Sequence, residues 1–257
     1  MRVLAVTAVA AERDAVCAAA GPHDSSPLPG GYDLRRAARP AGPRSAAALD
    51  ALAVGVGPAA AAAGTATALT AAALAGEPYD LVVSSGIGGG FAPGAPLGSV
   101  VVADAIVAAD LGAETPEGFV PVTELGFGTV SHRPDPALVK AVASASGAAT
   151  GTVLTVSTVT GSAARAAELT ARHPGALAEA MEGFGVAEAA AAHGVAVLEI
   201  RAVSNGVGPR DRASWRIGEA LAALTEAFRT LPEALSAAPP TGSGPAPEQP
   251  PSPRRTP

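Results

Sequence analysis

Met181-Glu182-Gly183 and Arg201-Ala202-Val203-Ser204-Asn205 are the two ends of one helix–turn–strand unit. Glu182 opens an alanine-rich run, Phe184 to His193, with the density of strong helix formers that a helix needs. Gly194 breaks it, and Val195 to Val203 is an apolar run of strand length. Ser204 and Asn205 stand where that run ends. The unit therefore places a carboxylate at a helix start and an amide at the C-terminal end of a strand. In open α/β sheets, ligands bind outside the carboxyl ends of strands.

The same alternation recurs along the chain. Arg2 to Ala8 is apolar without alternation, as in a strand buried on both faces, and Glu12 follows at the start of a helix over Ala11 to Ala20. Gly21 to Gly31, with three prolines, reads as loop, and Tyr32 to Ala53 as short strands or a hairpin interrupted at Pro40 and Pro43. Leu52 to Val56 leads through Gly55-Val56-Gly57-Pro58 into a helix over Ala59 to Leu74. Asp80 to Ser84 reads as a strand ending in a flexible glycine loop, Ser84 to Gly90, whose N–H groups can approach a ligand closely. Ser99 to Ala109 is the next strand, and Asp110 to Gly128 a long polar loop. A helix over Pro136 to Ser146, a strand over Thr150 to Thr158, a small-residue turn to Gly161 and a helix over Ser162 to His173 follow. Ala213 to Leu235 is a last amphipathic helix, with a break expected at Pro232. The pattern implies an α/β fold in three layers, a mixed and largely parallel twisted sheet flanked by helices. Residues 1–235 form the one domain, and the Pro-rich stretch 236–257 is expected to be a disordered tail.

Composition removes several classes of function. Of 257 residues, 48% are hydrophobic and 16% charged, as in a globular protein. The net charge of −6, with Lys140 the only lysine, argues against nucleic acid as a partner. Cys17 is the only cysteine, which rules out an internal disulfide and a cysteine metal site and fits a reducing cytoplasm. His23, His132, His173 and His193 have no metal-ligand spacing, so no metal is expected. Met1-Arg2 before the apolar run to Ala11 suits a buried first strand better than a signal peptide, and no stretch is long and apolar enough to span a membrane. Gly86-Ile87-Gly88-Gly89-Gly90 lacks the dinucleotide spacing, and neither a P-loop nor a G-x-S-x-G elbow occurs.

What remains is carboxylates and amides at strand ends. Their motifs are Ala8-x-x-x-Glu12, Gly55-Val56-Gly57, Ser85-Gly86-Ile87-Gly88-Gly89, Met181-Glu182 and Arg201-Ala202-Val203-Ser204-Asn205. Over about residues 1–235 the pattern resembles the nucleoside phosphorylase and nucleosidase superfamily. It is similar to the methylthioadenosine/S-adenosylhomocysteine nucleosidases and closer to the futalosine hydrolases. The segments Ala109 to Phe119, Glu124 to Gly128 and Ser204 to Arg212 carry that closer likeness.

The resemblance implies a homo-oligomeric N-glycosidase that takes a small nucleoside, acts on futalosine in menaquinone biosynthesis and needs no cofactor. It implies that Glu12 activates the attacking water, that Glu182 accepts from the ribose hydroxyls, and that Met181 packs on the sugar. Gly86, Ile87, Gly88, Val159 and Ser204 would line the substrate. A methylthioadenosine-type nucleosidase and a nucleoside-binding protein without turnover are the other readings of these residues.

Two departures bear on the base. Adenine-specific members carry Asp where this chain has Asn205. An amide cannot protonate the leaving base, but it can donate to a 6-oxo group and accept from a protonated N7. That favours hypoxanthine, the base of futalosine. The loop Thr158-Val159-Thr160-Gly161 places Val159 where adenine nucleosidases use an aromatic residue. Finally, no arginine precedes Glu12 after the first strand and none flanks Ser84 to Phe91, so phosphate finds no cationic cradle and water is the expected nucleophile.

Overall fold

The computed structural model describes residues 1–37 and 47–239. The strands are β1 (Arg2–Thr7), β2 (His23–Leu28), β3 (Tyr32–Ala37), β4 (Ala48–Ala53), β5 (Leu81–Gly90), β6 (Val100–Ala108), β7 (Gly112–Thr115), β8 (Gly118–Pro121), β9 (Ser131–His132), β10 (Ala149–Thr155), β11 (Ala176–Ala180) and β12 (Ala196–Gly206). The helices are α1 (Ala10–Ala20), α2 (Pro58–Leu74), α3 (Pro136–Ser146), α4 (Ala163–Arg172), α5 (Gly183–Ala192) and α6 (Ile217–Ala237). The central sheet runs β11-β10-β6-β12-β5-β1-β4-β3-β2, with β9 against β6. Its middle, β12-β5-β1-β4, is parallel, while β12 and β6 run antiparallel. β11 also pairs antiparallel with the end of β5, which folds that half of the sheet back on itself into a barrel.

β1 fulfils the sequence expectation of a strand buried on both faces. Val3 and Ala5 enter a core with α1, α3 and α6, where Val16, Leu138, Val142, Leu224 and Phe228 meet. Leu4 and Val6 enter a second core with α2 and α5, built on Leu52, Leu69 and Val186. The sheet is thus the middle of three layers. With few aromatic residues to fill space, the layers approach through small ones. A Cβ added to Gly185 of α5 would collide with the backbone carbonyl of Pro58 at the start of α2.

Four expectations are corrected. Gly21 to Gly31 is not all loop: β2 lies at the sheet edge, antiparallel to β3, a position that tolerates Pro27 and leaves polar side chains facing solvent. The glycines from Gly86 to Gly90 are not a flexible loop but the end of β5, paired with β12 on one side and β11 on the other. The Asp110 to Gly128 stretch contains the β7–β8 hairpin. The last helix begins at Ile217, after a short 3-10 turn at Arg212–Ser214, and runs unbroken through Pro232 to Ala237 because Leu231, Ala234 and Leu235 anchor it in the core. It therefore passes the expected domain end at residue 235. Pro40, Pro43 and the rest of the expected tail from 240 lie outside the described residues.

Gly185→Ala tests the close packing. Intrinsic propensity favours alanine in a helix by about 1 kcal/mol, but overpacking against an immovable carbonyl costs about 1–3 kcal/mol. The expected net result is a lower midpoint of urea unfolding; a raised midpoint would show that α5 and α2 can separate freely.

Candidate active site

Glu12 stands in the first turn of α1, three residues after the helix cap Val9. Its Oε2 accepts from the N–H groups of Ala8 at 3.0 Å and Val9 at 3.2 Å, and its Oε1 from the N–H of Ile87 at 2.9 Å. The carboxylate thus ties the end of β1 to β5 and is only 4% exposed. Burial raises its proton affinity above that of an ordinary carboxylate. Arg201 and the N–H groups of Ile87 and Val9 pull it the other way and offset part of the rise.

Glu182 caps α5 and is equally buried. Its Oε1 accepts from Gly57 N–H at 3.2 Å; its Oε2 accepts from Met181 N–H and from Arg201 Nη1, both at 3.3 Å. It is not a solvated helix-end acid. Gly57, from the loop after β4, is what brings α2 and α5 to the same point.

Beneath these two carboxylates lies Arg201, fully buried on β12. Its Nε donates to Glu199 Oε1 at 2.9 Å and its Nη2 to Ser84 Oγ at 3.0 Å. Glu199 has no exposure, and burial raises its proton affinity against the pull of Arg201. Gly86 is where these groups converge: a Cβ there would lie 2.5 Å from Glu12 Oε1 and 2.9 Å from Arg201 Nη1. Gly86 is therefore a spacer behind Glu12, not a wall of the site as the sequence suggested.

The two carboxylates open into a cavity of about 360 Å³, in the range of small-ligand pockets. Ile87, Gly88, Val159, Met181, Ser204 and Asn205 all line it. The N–H of Ile87 is already bound to Glu12, so Ile87 offers its side chain. Asn205 owes its aim to an irregularity. Val203 pairs with Gly88 and Asn205 with Gly89, so Ser204 is an extra residue in β12. Ser204 Oγ lies 2.9 Å from Asn205 Oδ1, and Asn205 Nδ2 donates to Gly206 O at 3.1 Å. These two contacts fix which way the amide faces and leave one proton on Nδ2 and one lone-pair site on Oδ1 open.

The sequence reading missed other members. Thr160 and Glu179 line the cavity, and Glu179 accepts from both the N–H of Thr160, at 2.8 Å, and its hydroxyl. That pair holds the Val159 loop in place. β11, which carries Glu179, is a short Ala-rich strand without the usual β-formers. Arg201 and Glu199 were findable: two charged residues spaced by two put both on one face of an otherwise apolar strand. Arg13, adjacent to Glu12, points away and pairs with Asp14 and Asp33. No cluster of metal-binding side chains occurs among the described residues.

The chain has relatives among known proteins. The family model of the Phosphorylase superfamily matches residues 51–238. A futalosine hydrolase of Streptomyces coelicolor is 66% identical over 244 residues, 91% of this chain and 97% of that protein. A futalosine hydrolase of Acidothermus cellulolyticus is 48% identical over 233 residues, 89% of each chain. Among solved structures, the 5′-methylthioadenosine/S-adenosylhomocysteine nucleosidase of Colwellia psychrerythraea with adenine superposes with a TM-score of 0.72 at 22% identity, over 92% of this chain and 94% of that one. The futalosine hydrolase of Helicobacter pylori gives 0.69 at 18%, over 92% and 96%. At those identities the two structures show a shared fold.

Proposed function

We infer a function from one premise: the chain belongs to the phosphorylase superfamily and, within it, to the futalosine hydrolases. It hydrolyses the N-glycosidic bond of futalosine, giving hypoxanthine and dehypoxanthine futalosine, a step of menaquinone biosynthesis. The observation that carries this reading is the likeness to the Streptomyces coelicolor futalosine hydrolase, 66% identical over nearly its whole length. The cavity supports it independently, because two buried carboxylates and an oriented amide share one wall.

In this reading Glu182 accepts from the ribose hydroxyls and Met181 packs on the sugar. Water attacks C1′, the bond from C1′ to the purine breaks, and Glu12 takes the proton from water. The sugar passes through an oxocarbenium-like state, which nearby anionic charge stabilises. Asn205 has no proton to give: N7 of the departing base takes its proton from solvent water, the open Oδ1 site of Asn205 accepts a hydrogen bond from that N7–H, and its open Nδ2–H donates one to O6. Val159 faces the base without an aromatic stack. Water rather than phosphate is the nucleophile, because Arg201 is buried among carboxylates and Arg210 is the only cation on the described cavity wall.

The protein acts in the cytoplasm in this reading, which the lone half-buried Cys17 supports. No helix among the described residues is long and apolar enough to cross a membrane. We also read it as a homo-oligomer, a dimer or higher. Leu111, Leu125 and Phe127, the last 62% exposed, leave apolar surface around the β7–β8 hairpin for a second copy to cover. Light scattering that returned the mass of a single 24.8 kDa chain would refute the oligomer.

The base must be ionised to work, so activity falls as pH drops through its pKa. Because burial raises the Glu12 pKa, the acid limb of kcat/KM is expected above the ordinary carboxylate value of 4.5. Glu12→Gln should lower kcat roughly 10²- to 10⁴-fold with ligand still bound. A protein that only binds nucleosides would show neither effect.

The decisive assay is release of free base from futalosine, inosine and methylthioadenosine, with and without phosphate. Hypoxanthine release from futalosine, insensitive to phosphate, is expected; a steep rise with phosphate would overturn the hydrolytic reading. In the same assay Asn205→Asp should shift preference toward the 6-aminopurine, and an unchanged preference would remove Asn205 as the base reader.

A further inference from the structure

Beyond Asn205 the chain runs over the cavity and returns to it. Gly206 to Asp211 lines the wall, a 3-10 turn at Arg212–Ser214 follows, and Ser214 and Trp215 line the wall again. Two hydrogen bonds from main-chain N–H groups fix this arm. Arg216 N–H donates to Ser204 O at 2.8 Å, which holds Trp215 against the strand that carries Asn205. Asp211 caps the turn by accepting from Ala213 N–H at 3.1 Å, so its carboxylate is already engaged.

On this arm sits an unusual group of side chains. Trp215, the chain's single tryptophan, is half-buried on the cavity wall. The Arg210 guanidinium lies over its ring, 5.4 Å from the centroid, and that of Arg212 lies at 5.8 Å. Arg210 also lines the cavity; Arg212 does not. The stem of Arg210 passes the Val159 loop, since a Cβ on Gly161 would sit 3.9 Å from its Cγ and Cδ. Among the described residues neither guanidinium has a carboxylate within salt-bridge distance. Elsewhere around the site the cations are engaged: Arg13 with Asp14 and Asp33, Arg201 with Glu182 and Glu199.

A planar cation stacked on an indole, with its donors unspent and facing a cavity, is suited to an anion attached to an apolar or aromatic body. Guanidinium binds carboxylate through two parallel N–H bonds, and indole offers an aromatic face. The rest of the wall is committed to a neutral nucleoside, through Glu12, Glu182, Met181 and Asn205. The substrate proposed above carries, besides its nucleoside, a carboxyphenyl group. We propose that Arg210 and Trp215 form the subsite for this end of the substrate, Arg210 reading the carboxylate and Trp215 stacking on the ring. The assignment rests on the futalosine reading and goes beyond it in naming the residues that select this substrate over a plain nucleoside.

The test compares futalosine with its methyl ester, which keeps the ring and removes the charge. Both are assayed for hypoxanthine release with the full-length enzyme and with Arg210→Ala, Arg210→Lys and Arg212→Ala. A charge-assisted pair of bonds is worth roughly 10- to 100-fold, so the wild-type enzyme should prefer the acid by about that factor in kcat/KM. Arg210→Ala should bring the ratio to about one by losing the acid, Arg210→Lys should keep part of it, and Arg212→Ala should keep most. The proposal fails if Arg210→Ala discriminates like the wild type, if the wild type does not discriminate, or if Arg212→Ala alone abolishes the ratio. If the wild-type enzyme releases hypoxanthine from neither compound, the function assigned above fails and takes this subsite with it.

Discussion

One buried cation organises this molecule. Arg201 on β12 meets Glu199 on its own strand, Glu182 at the start of α5, Ser84 on β5 and the field of Glu12 from α1. Removing one partner of a buried ion pair costs about 3–5 kcal/mol, since the charge left behind has no water to turn to. Three carboxylates surround the one guanidinium, and burial raises the proton affinity of Glu199, whose Oε2 is unpartnered. Of the three, Glu12 and Glu182 face the cavity. The nest locks four elements together and, on the proposed function, sets two carboxylates where a cationic sugar would form.

The readable parts of the sequence were those where one physical demand acts alone. β1 had to be apolar on both faces because a helix layer covers each. Glu12 and Glu182 stood out because each opens a helix directly beside a strand end, Glu12 after β1 and Glu182 after β11. The hidden parts are those where pairing overrides composition. β2 is polar and contains Pro27, yet its edge position makes both acceptable. Gly86 to Gly90 has the composition of a loop, but β11 and β12 supply partners on both sides and draw it into the sheet. Glu179 and Trp215 reach the cavity only through the barrel closure and the returning arm, and neither follows from local pattern.

The glycines of β5 also show why the site sits where it does. Side chains at those positions would occupy the space taken by Glu12, Arg201, Asn205 and the carbonyl of Glu179. Their absence lets the acidic nest come up beneath the strand while the cavity opens beside it. The alanine-rich helices act in the same way on a larger scale, with Gly185 allowing α5 to lie against the first turn of α2 and so bring Gly57 to Glu182.

The extra residue in β12 separates two tasks that a regular strand would join. Up to Val203 the strand's register is dictated by β5 and by the core. Past Ser204 the register against β5 has shifted by one residue, and the side chain at 205 lines the cavity. On the proposed role of Asn205, base preference is modular: exchanging the residue at 205 would change the purine taken without repacking the scaffold.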